Sequence, residues 1–188
     1  MCTTEINFTL YNNKKDNNML SKVKPDMDEQ YKKYWNITEG DFFGLAKDGK
    51  LLRNTLYREG NSSGMNQDTY FMLMKHTEAF YPDSITTDPD KKRHLACHWC
   101  IIDKEGNEKI VFEEFHHGYL ISNSCIYTID NYYFNIETKE KICKSYQSMK
   151  SENYLFLSPV PESLKDLKNR KHIVLKVDKK TGAYEVIE

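Results

Sequence analysis

The sequence predicts a mainly β fold, of the β-rich α+β class, built from antiparallel hairpins. Three observations carry this prediction. From residue 41 onward most segments alternate apolar and polar residues with a period of two. The same segments are rich in Ile, Val, Phe, Tyr and Thr, the residues that favour strands. Short polar turns with Asp or Gly separate them. Such hairpins can form a sandwich, an open barrel or a partial propeller-like sheet.

The amino-terminal part reads differently from the rest. It contains one predicted strand, Glu5–Tyr11, and then a run of short polar and charged residues that is typical of a loop. A short helix is predicted over Met27–Trp35, because Asp26 can cap it and its apolar residues fall on one face. We therefore expect a loosely ordered segment over residues 1–24 and a single β-rich domain over residues 25–188.

The strands follow one another closely after this helix. A second helix is predicted over Pro161–Lys168, and two long polar loops are predicted over Glu59–Asp68 and Pro82–Lys92. The predicted strands are Asp41–Leu45, Leu51–Tyr57, Tyr70–Lys75, Leu95–Ile102, Lys109–Phe115, Tyr119–Ser122, Cys125–Ile129, Tyr132–Ile136, Lys141–Cys143, Tyr154–Leu157, Ile173–Val177 and Ala183–Ile187.

Four of the strand pairs carry a clear hairpin signal. Each has an acidic or polar turn between two apolar runs, marked by Gly49, Gly106, Thr138 and Gly182. These hairpins resemble the units of β-propellers and of short aromatic β-repeat proteins. The markers are 57, 32 and 44 residues apart, whereas a true repeat array keeps one period. The pattern therefore indicates an irregular antiparallel β protein.

Composition excludes several classes of protein. The chain has 188 residues, 39% of them hydrophobic and 13% aromatic, so it is too apolar for a disordered chain. Its net charge of −1 argues against nucleic acid or an anionic membrane as the main partner. No stretch approaches the run of about 18 apolar residues that a membrane span needs.

The cysteines and the first residues indicate a cellular compartment. Five cysteines are an odd number, and the first residues lack the basic start and apolar run of a secretory signal. We therefore expect reduced cysteines and a cytoplasmic location.

The densest group of reactive side chains offers a candidate zinc site. Cys97 and Cys100 have the spacing of a zinc knuckle, and His94 and His116 could complete the ligands. In a strand, however, side chains alternate, and Cys97 and Cys100 would then face opposite ways. Buried, apolar cysteines in a strand are the favoured interpretation, so no cofactor is expected and zinc is the alternative.

Carboxylates beside imidazoles offer the parts of a general acid–base pair. The candidates are Glu114, His116 and His117, with His94 and His98 nearby. An exposed strand at the edge of a sheet explains the same residues more simply. No complete catalytic motif for hydrolysis or phosphate transfer is present, which favours a protein that is not an enzyme.

The thirteen tyrosines point to binding. Tyrosine offers a large rigid contact area with a polar tip, which suits protein interfaces and stacking platforms. Lysines near these rings are diluted by glutamates, so a protein partner is favoured over nucleic acid. The candidate binding residues are Tyr127, Tyr132, Tyr133, Tyr146 and Tyr154.

The leading functional prediction is therefore a small intracellular, non-catalytic binding protein. It would act through a tyrosine-rich β surface and long polar loops, and its partner would be another protein, with no membrane partner. The alternative is a hydrolase-type enzyme with a His/Glu site, or a Cys/His metal site, around residues 94–117.

Overall fold

A computed structural model describes residues 7–9, 20–27, 29, 32–33, 42–59, 69–80, 93–113, 118–161 and 173–187. These residues form sixteen strands in four sheets of four strands each. In every sheet the four strands are consecutive in the sequence, so neighbours in the chain are neighbours in the sheet. The prediction of a mainly β fold of antiparallel hairpins is confirmed.

The described residues divide into two compact units. Unit 1 contains the described residues up to 59 and those from 71 to 113, and unit 2 contains residues 69–70 and those from 118 onward. The expectation of a single domain after residue 24 stays a prediction.

Unit 1 holds the first two sheets. The first sheet consists of β1 (Asn7–Thr9), β2 (Leu20–Asp26), β3 (Gly44–Lys47) and β4 (Lys50–Leu51). The second sheet consists of β5 (Leu56–Glu59), β6 (Tyr70–Phe80), β7 (Arg93–Asp103) and β8 (Glu108–Val111), where Tyr70 is assigned to unit 2.

A backbone bridge joins the two sheets of unit 1. Phe43 and Tyr57 exchange hydrogen bonds, with the Phe43 amide 2.9 Å from the Tyr57 carbonyl and the Tyr57 amide 2.8 Å from the Phe43 carbonyl. The buried cluster around this bridge comprises Phe43, Leu45, Tyr57, Leu73, Cys100 and Ile102. Burying these side chains is the main source of stability for such a core.

Unit 2 holds the last two sheets. The third sheet consists of β9 (Gly118–Leu120), β10 (Ile126–Ile129), β11 (Tyr132–Asn135) and β12 (Lys141–Lys144). The fourth sheet consists of β13 (Ser148–Lys150), β14 (Tyr154–Leu157), β15 (Val174–Asp178) and β16 (Tyr184–Ile187).

Hydrogen bonds outside the strand ladders join the third and fourth sheets. The Cys125 amide donates to the Lys179 carbonyl at 2.8 Å, and the Val160 amide donates to the Lys144 carbonyl at 2.8 Å. The buried side chains of these sheets include Ile126, Tyr133, Leu155, Leu157, Leu175 and Val177.

The turn residues explain why the four predicted hairpins form. Asp48 and Gly49 have φ angles of 51° and 73° between β3 and β4, the left-handed backbone that a two-residue hairpin turn requires. Gly106 lies between β7 and β8, Lys139 lies between β11 and β12, and Gly182 lies between β15 and β16; each has a positive φ.

Two strands were not predicted. In β2 the alternating pattern places Val23 and Pro25 in buried positions, but lysines and a proline make the segment look like a loop. Pro25 pairs with Phe8, so β2 runs across the boundary expected at residue 24. The short strand β13 pairs with β14 and is fully exposed, which explains the weakness of its pattern.

One predicted strand is broken in the structure. The segment Leu51–Tyr57 ends one strand at Leu51 and begins another at Leu56. Between them the Thr55 amide donates to the Arg53 carbonyl at 2.9 Å, which closes a tight turn. This turn places the Arg53 side chain beside Tyr57.

Most residues of the predicted helices and long loops lie outside the described part of the chain. Glu29, Lys32 and Lys33 are helical, as predicted for Met27–Trp35, whereas Met27 is not helical and Asp26, the predicted cap, is the last residue of β2. The other residues of this predicted helix are outside the described part of the chain. Most of Pro161–Lys168 and of the two predicted long loops, Glu59–Asp68 and Pro82–Lys92, also lies outside the described residues. Within the described part of the chain, no helix has the length and apolar character needed to cross a membrane.

Candidate functional site

Three aromatic residues of unit 2, Tyr127, Tyr132 and Phe134, lie on one face of the third sheet. The β10–β11 hairpin turns at Asp130 and Asn131, whose φ angles of 50° and 64° fit a two-residue turn. This turn sets a register in which Tyr127 pairs with Phe134 and Ile129 pairs with Tyr132. Because side chains alternate along a strand, these four residues lie on the same face.

The rings on this face contact one another. Tyr127 and Phe134 are stacked, with centroids 5.1 Å apart and ring planes 17° apart. Tyr132 lies next to Phe134, with centroids 6.4 Å apart. Tyr127 is buried, whereas Tyr132 and Phe134 are half-buried and present part of their rings to solvent. Aromatic pairs at these separations stabilise each other and hold the rings in fixed positions.

Two lysines of β12 lie over these rings. The Lys144 Nζ is 4.8 Å from the centroid of Tyr132 and 5.7 Å from that of Tyr146. The Lys141 Nζ is 5.4 Å from the centroid of Tyr132. Tyr146 is 64% exposed. We call Tyr127, Tyr132, Phe134, Lys141, Lys144 and Tyr146 the aromatic–lysine surface.

Two tyrosine side chains favour the protonated form of Lys144. Partial desolvation would lower the pKa of Lys144, but interactions with the phenol groups of Tyr132 and Tyr146 outweigh it, and the net pKa is raised. The amine is therefore protonated at neutral pH. Ammonium groups over aromatic faces are attracted by the negative face of the ring.

A second lysine in unit 2 provides a contrast. The Lys176 Nζ is 4.4 Å from the centroid of Tyr154 on the fourth sheet. This amine also forms an ion pair with Glu185 at 2.7 Å. Among the described residues no carboxylate forms such an ion pair with Lys144. The two lysines thus share their aromatic contact and differ in whether an acid neutralises them.

The five predicted tyrosines are in three places. Tyr127, Tyr132 and Tyr146 lie on the aromatic–lysine surface. Tyr133 is adjacent to Tyr132 in the strand, so it faces the other side of the sheet, where it is buried. Tyr154 belongs to the fourth sheet. Phe134, Lys141 and Lys144 were not in the predicted set, although the alternation along β11 indicates Phe134.

Two of the predicted zinc ligands, Cys97 and Cys100, lie on opposite faces of β7. Cys97 and Cys100 are both in this strand, and their side chains have different partners. The Cys100 thiol donates to the carbonyl of Leu73 at 3.4 Å in a fully buried environment, and burial raises its pKa to about 12. The Cys97 Sγ lies 3.4 Å from Nδ1 of His76. The strand geometry therefore keeps Cys97 and Cys100 from holding one ion together.

The other predicted ligands and catalytic residues are mostly outside the described part. The backbone of His94 lies in β7, but the His94 side chain is outside the described part of the chain. Glu114, His116 and His117 are also outside it. His98 is described, and its Nδ1 lies 3.1 Å from the Phe112 carbonyl oxygen. The described side chains include no group of three His, Cys, Asp or Glu residues that could hold a metal ion.

His76 is a partner of Cys97 that the sequence did not indicate. Its ring is buried, Phe42 meets it edge-on with centroids 4.6 Å apart, and its Nε2 has no hydrogen-bond partner among the described residues. Burial, aided by the charge of Arg58, lowers the pKa of His76 to about 4. The imidazole is therefore neutral at pH 7, and this pair is not the imidazolium–thiolate pair of an activated nucleophile.

Unit 1 also contains an ionic cluster that the sequence did not indicate. The carboxylate of Glu108 accepts hydrogen bonds from the hydroxyl of Tyr57 at 2.5 Å and from Nζ of Lys75 at 2.9 Å. Arg53 lies 2.8 Å from the same carboxylate and also donates to Tyr57 and to the Gly106 carbonyl. Every charged group in the cluster has a partner. The cluster therefore connects β5, β6 and the β7–β8 hairpin through side-chain interactions.

Comparisons of the chain with protein families, with curated proteins and with solved structures found no match.

Proposed function

We propose that the protein is a non-catalytic binding protein whose aromatic–lysine surface binds an acidic segment of a partner protein. The observation that carries this proposal is Lys144. Its charged amine is held over Tyr132 and beside the exposed Tyr146, and no described carboxylate neutralises it.

The composition of the surface supports a peptide ligand. Half-buried rings provide apolar contact area at low cost in conformational entropy, and interfaces are enriched in such residues. The amines of Lys141 and Lys144 lie 5.4 Å and 4.8 Å from the centroid of the Tyr132 ring. A segment with a carboxylate next to an apolar side chain would match both features, because its acid could meet an amine while its apolar group covers a ring.

Nucleic acid fits this surface less well. A single-stranded nucleic acid needs a basic groove along which several phosphates can lie. The surface offers two lysines, and Glu137 and Glu140 follow β11 in the adjacent turn.

The test is selection of peptides from a random twelve-residue display library on the full chain. We expect the enriched peptides to contain Asp or Glu beside a large apolar residue. Labelled copies of these peptides are then titrated against the Lys144→Met and Tyr146→Ala variants. Each variant should weaken binding by about tenfold, the loss expected for a central contact of an interface.

Lys176→Met is the matched control. It removes a lysine that also lies over a tyrosine but is already paired with Glu185. This variant should bind the selected peptides as tightly as the native chain. The proposal fails if the selected peptides have no acidic excess, or if Lys144→Met and Lys176→Met have equal effects. Tighter binding of a single-stranded oligonucleotide than of any peptide, with a steep loss in salt, would assign the surface to nucleic acid instead.

A further inference from the structure

Unit 2 contains a cleft next to the aromatic–lysine surface, with which it shares Lys141. It has a volume of about 670 Å³ and lies between the β11–β12 turn and the β15–β16 turn. Its lining includes Asn135, Thr138, Glu140, Lys141, Gly182 and Tyr184. This volume is within the range of small-molecule sites, about 300–1,000 Å³.

The floor of the cleft is fixed by one buried amide. The Asn135 Oδ1 accepts hydrogen bonds from the amides of Glu137 at 2.8 Å and Thr138 at 3.2 Å, and its Nδ2 donates to the Thr181 carbonyl at 2.9 Å. Asn135 thereby ties the two turns together. A ligand that enters the cleft does not have to order these turns first, which lowers the cost of binding.

A glycine allows the two turns to approach closely. Gly182 has a φ of +71°, and a Cβ at this position would lie 2.2 Å from Nδ2 of Asn135. Within the β15–β16 turn, the Asp178 carboxylate accepts hydrogen bonds from the amides of Lys180 and Thr181, both at 2.8 Å. Both walls of the cleft are therefore shaped by specific hydrogen bonds.

The chemistry of the lining selects a class of ligand. Tyr184 is 54% exposed and offers a flat apolar ring. Glu140 and Lys141 are consecutive and have opposite charges, so the lining favours neither an anion nor a cation. Thr138 accepts a hydrogen bond from the Glu140 amide at 3.3 Å through its hydroxyl, whose proton can still be donated.

We propose that this cleft is a saccharide-binding site, in which a pyranose ring places its C–H face on Tyr184 and its hydroxyls toward Thr138, Glu140 and Lys141. A sugar ring is neutral, carries several hydroxyls that both donate and accept, and has one apolar face. An exposed aromatic ring beside a few polar groups complements these properties. The proposal goes beyond peptide binding and does not depend on it.

The test is an NMR titration of the ¹⁵N-labelled full chain with glucose, galactose, mannose and N-acetylglucosamine. Each sugar is raised to about 50 mM, above the millimolar dissociation constants of weakly bound small ligands. At least one sugar should produce saturable shifts at the amides of residues 135–142 and 181–184. Tyr184→Ala should weaken this binding by about tenfold, the size of effect typical of an aromatic anchor, whereas Tyr184→Phe should retain it.

Tyr119→Ala is the matched control, because Tyr119 is 60% exposed in the same unit and lies outside the cleft. It should leave sugar binding unchanged. The proposal is overturned if none of the four sugars gives saturable shifts in these turns, or if Tyr184→Ala and Tyr119→Ala have the same effect. Peptide binding by the Lys144→Met and Tyr146→Ala variants is measured separately, so the two proposals can fail independently.

Discussion

Replacing Glu108 with glutamine tests the ionic cluster of unit 1. The change removes the negative charge and leaves Arg53 and Lys75 close together, with side chains only 29% and 21% exposed. Tyr57, which is fully buried, also loses its charged acceptor. The loss should therefore exceed that of a surface ion pair, which is about 0–1 kcal/mol.

The expected magnitude follows from the partial exposure of the cluster. Breaking a fully buried ion pair costs about 3–5 kcal/mol, and a hydrogen bond to a charged group contributes about 1.5–3 kcal/mol. Solvent screens part of this cluster, and glutamine can still accept one hydrogen bond. We therefore expect Glu108→Gln to lower the free energy of unfolding of unit 1 by about 2–3 kcal/mol. With a urea dependence of about 2 kcal/mol/M, the midpoint would fall by roughly 1–1.5 M.

Tryptophan fluorescence during urea unfolding measures this effect in unit 1. The chain has two tryptophans, Trp35 and Trp99, and both fall in the sequence range of unit 1. The signal therefore follows that unit. Glu105→Gln is the matched control, because Glu105 is an exposed carboxylate in the same hairpin. It should change stability by less than about 0.5 kcal/mol.

The pH dependence gives a second readout. Burial tends to raise the pKa of Glu108, but hydrogen bonds from Tyr57, Lys75 and Arg53 outweigh it, and the pKa is lowered. A carboxyl with a lowered folded pKa contributes stability above its unfolded pKa, about 4.3, and loses it as the pH falls through the folded value. The difference in unfolding free energy between the native chain and Glu108→Gln should therefore narrow below pH 4. A difference in unfolding free energy below about 0.5 kcal/mol at pH 7, or one that does not narrow in acid, would show that Glu108 does not hold the cluster together.

Three further predictions concern other parts of the molecule. Gly182→Ala should destabilise unit 2 by about 2 kcal/mol in a circular-dichroism melt, because it combines a positive φ with a clash against Asn135. Gly49→Ala, with a similar φ and open space around the new Cβ, should cost about 1 kcal/mol. Equal costs for the two variants would contradict the clash. Cys97, half-exposed, should react with maleimide before the three buried described cysteines, as peptide mass spectrometry would show, and simultaneous labelling would contradict the assigned burial. His76, whose pKa is about 4 in the fold, takes up a proton more readily in the unfolded chain, so the free energy of unfolding should fall as the pH drops from 6.5 to 4. His76→Phe should reduce this pH dependence in urea unfolding. An unchanged pH profile would argue against a buried neutral imidazole.

Local sequence signals predicted much of the fold. Three of the four hairpins were predictable because their turns place Gly49, Gly106 or Gly182 in left-handed backbone between alternating strands. In the β11–β12 turn the left-handed residue is Lys139. Strand β2 was missed because Pro25 and two lysines disguise its alternation. The local pattern was informative wherever the turn chemistry and the strand pattern agreed.

The candidate sites were less predictable because their residues are distant in sequence. Glu108 meets Tyr57 and Lys75 through strands that are far apart in the chain, and no local pattern encodes that pairing. The same holds for His76 and Cys97. On the aromatic–lysine surface, strict alternation could have separated Tyr132 from Tyr133. The lysines over the rings required the β11–β12 register.

The order of strands has a consequence for synthesis of the chain. The four sheets span residues 7–51, 56–111, 118–144 and 148–187, and these ranges do not overlap. The ribosome therefore synthesises all four strands of one sheet before it begins the first strand of the next sheet. Because local pairings close short loops, we expect the sheets to form in vectorial order during translation. Force measurements on nascent chains arrested at successive lengths should show separate folding events near the sheet boundaries, and a single event at full length would exclude this order.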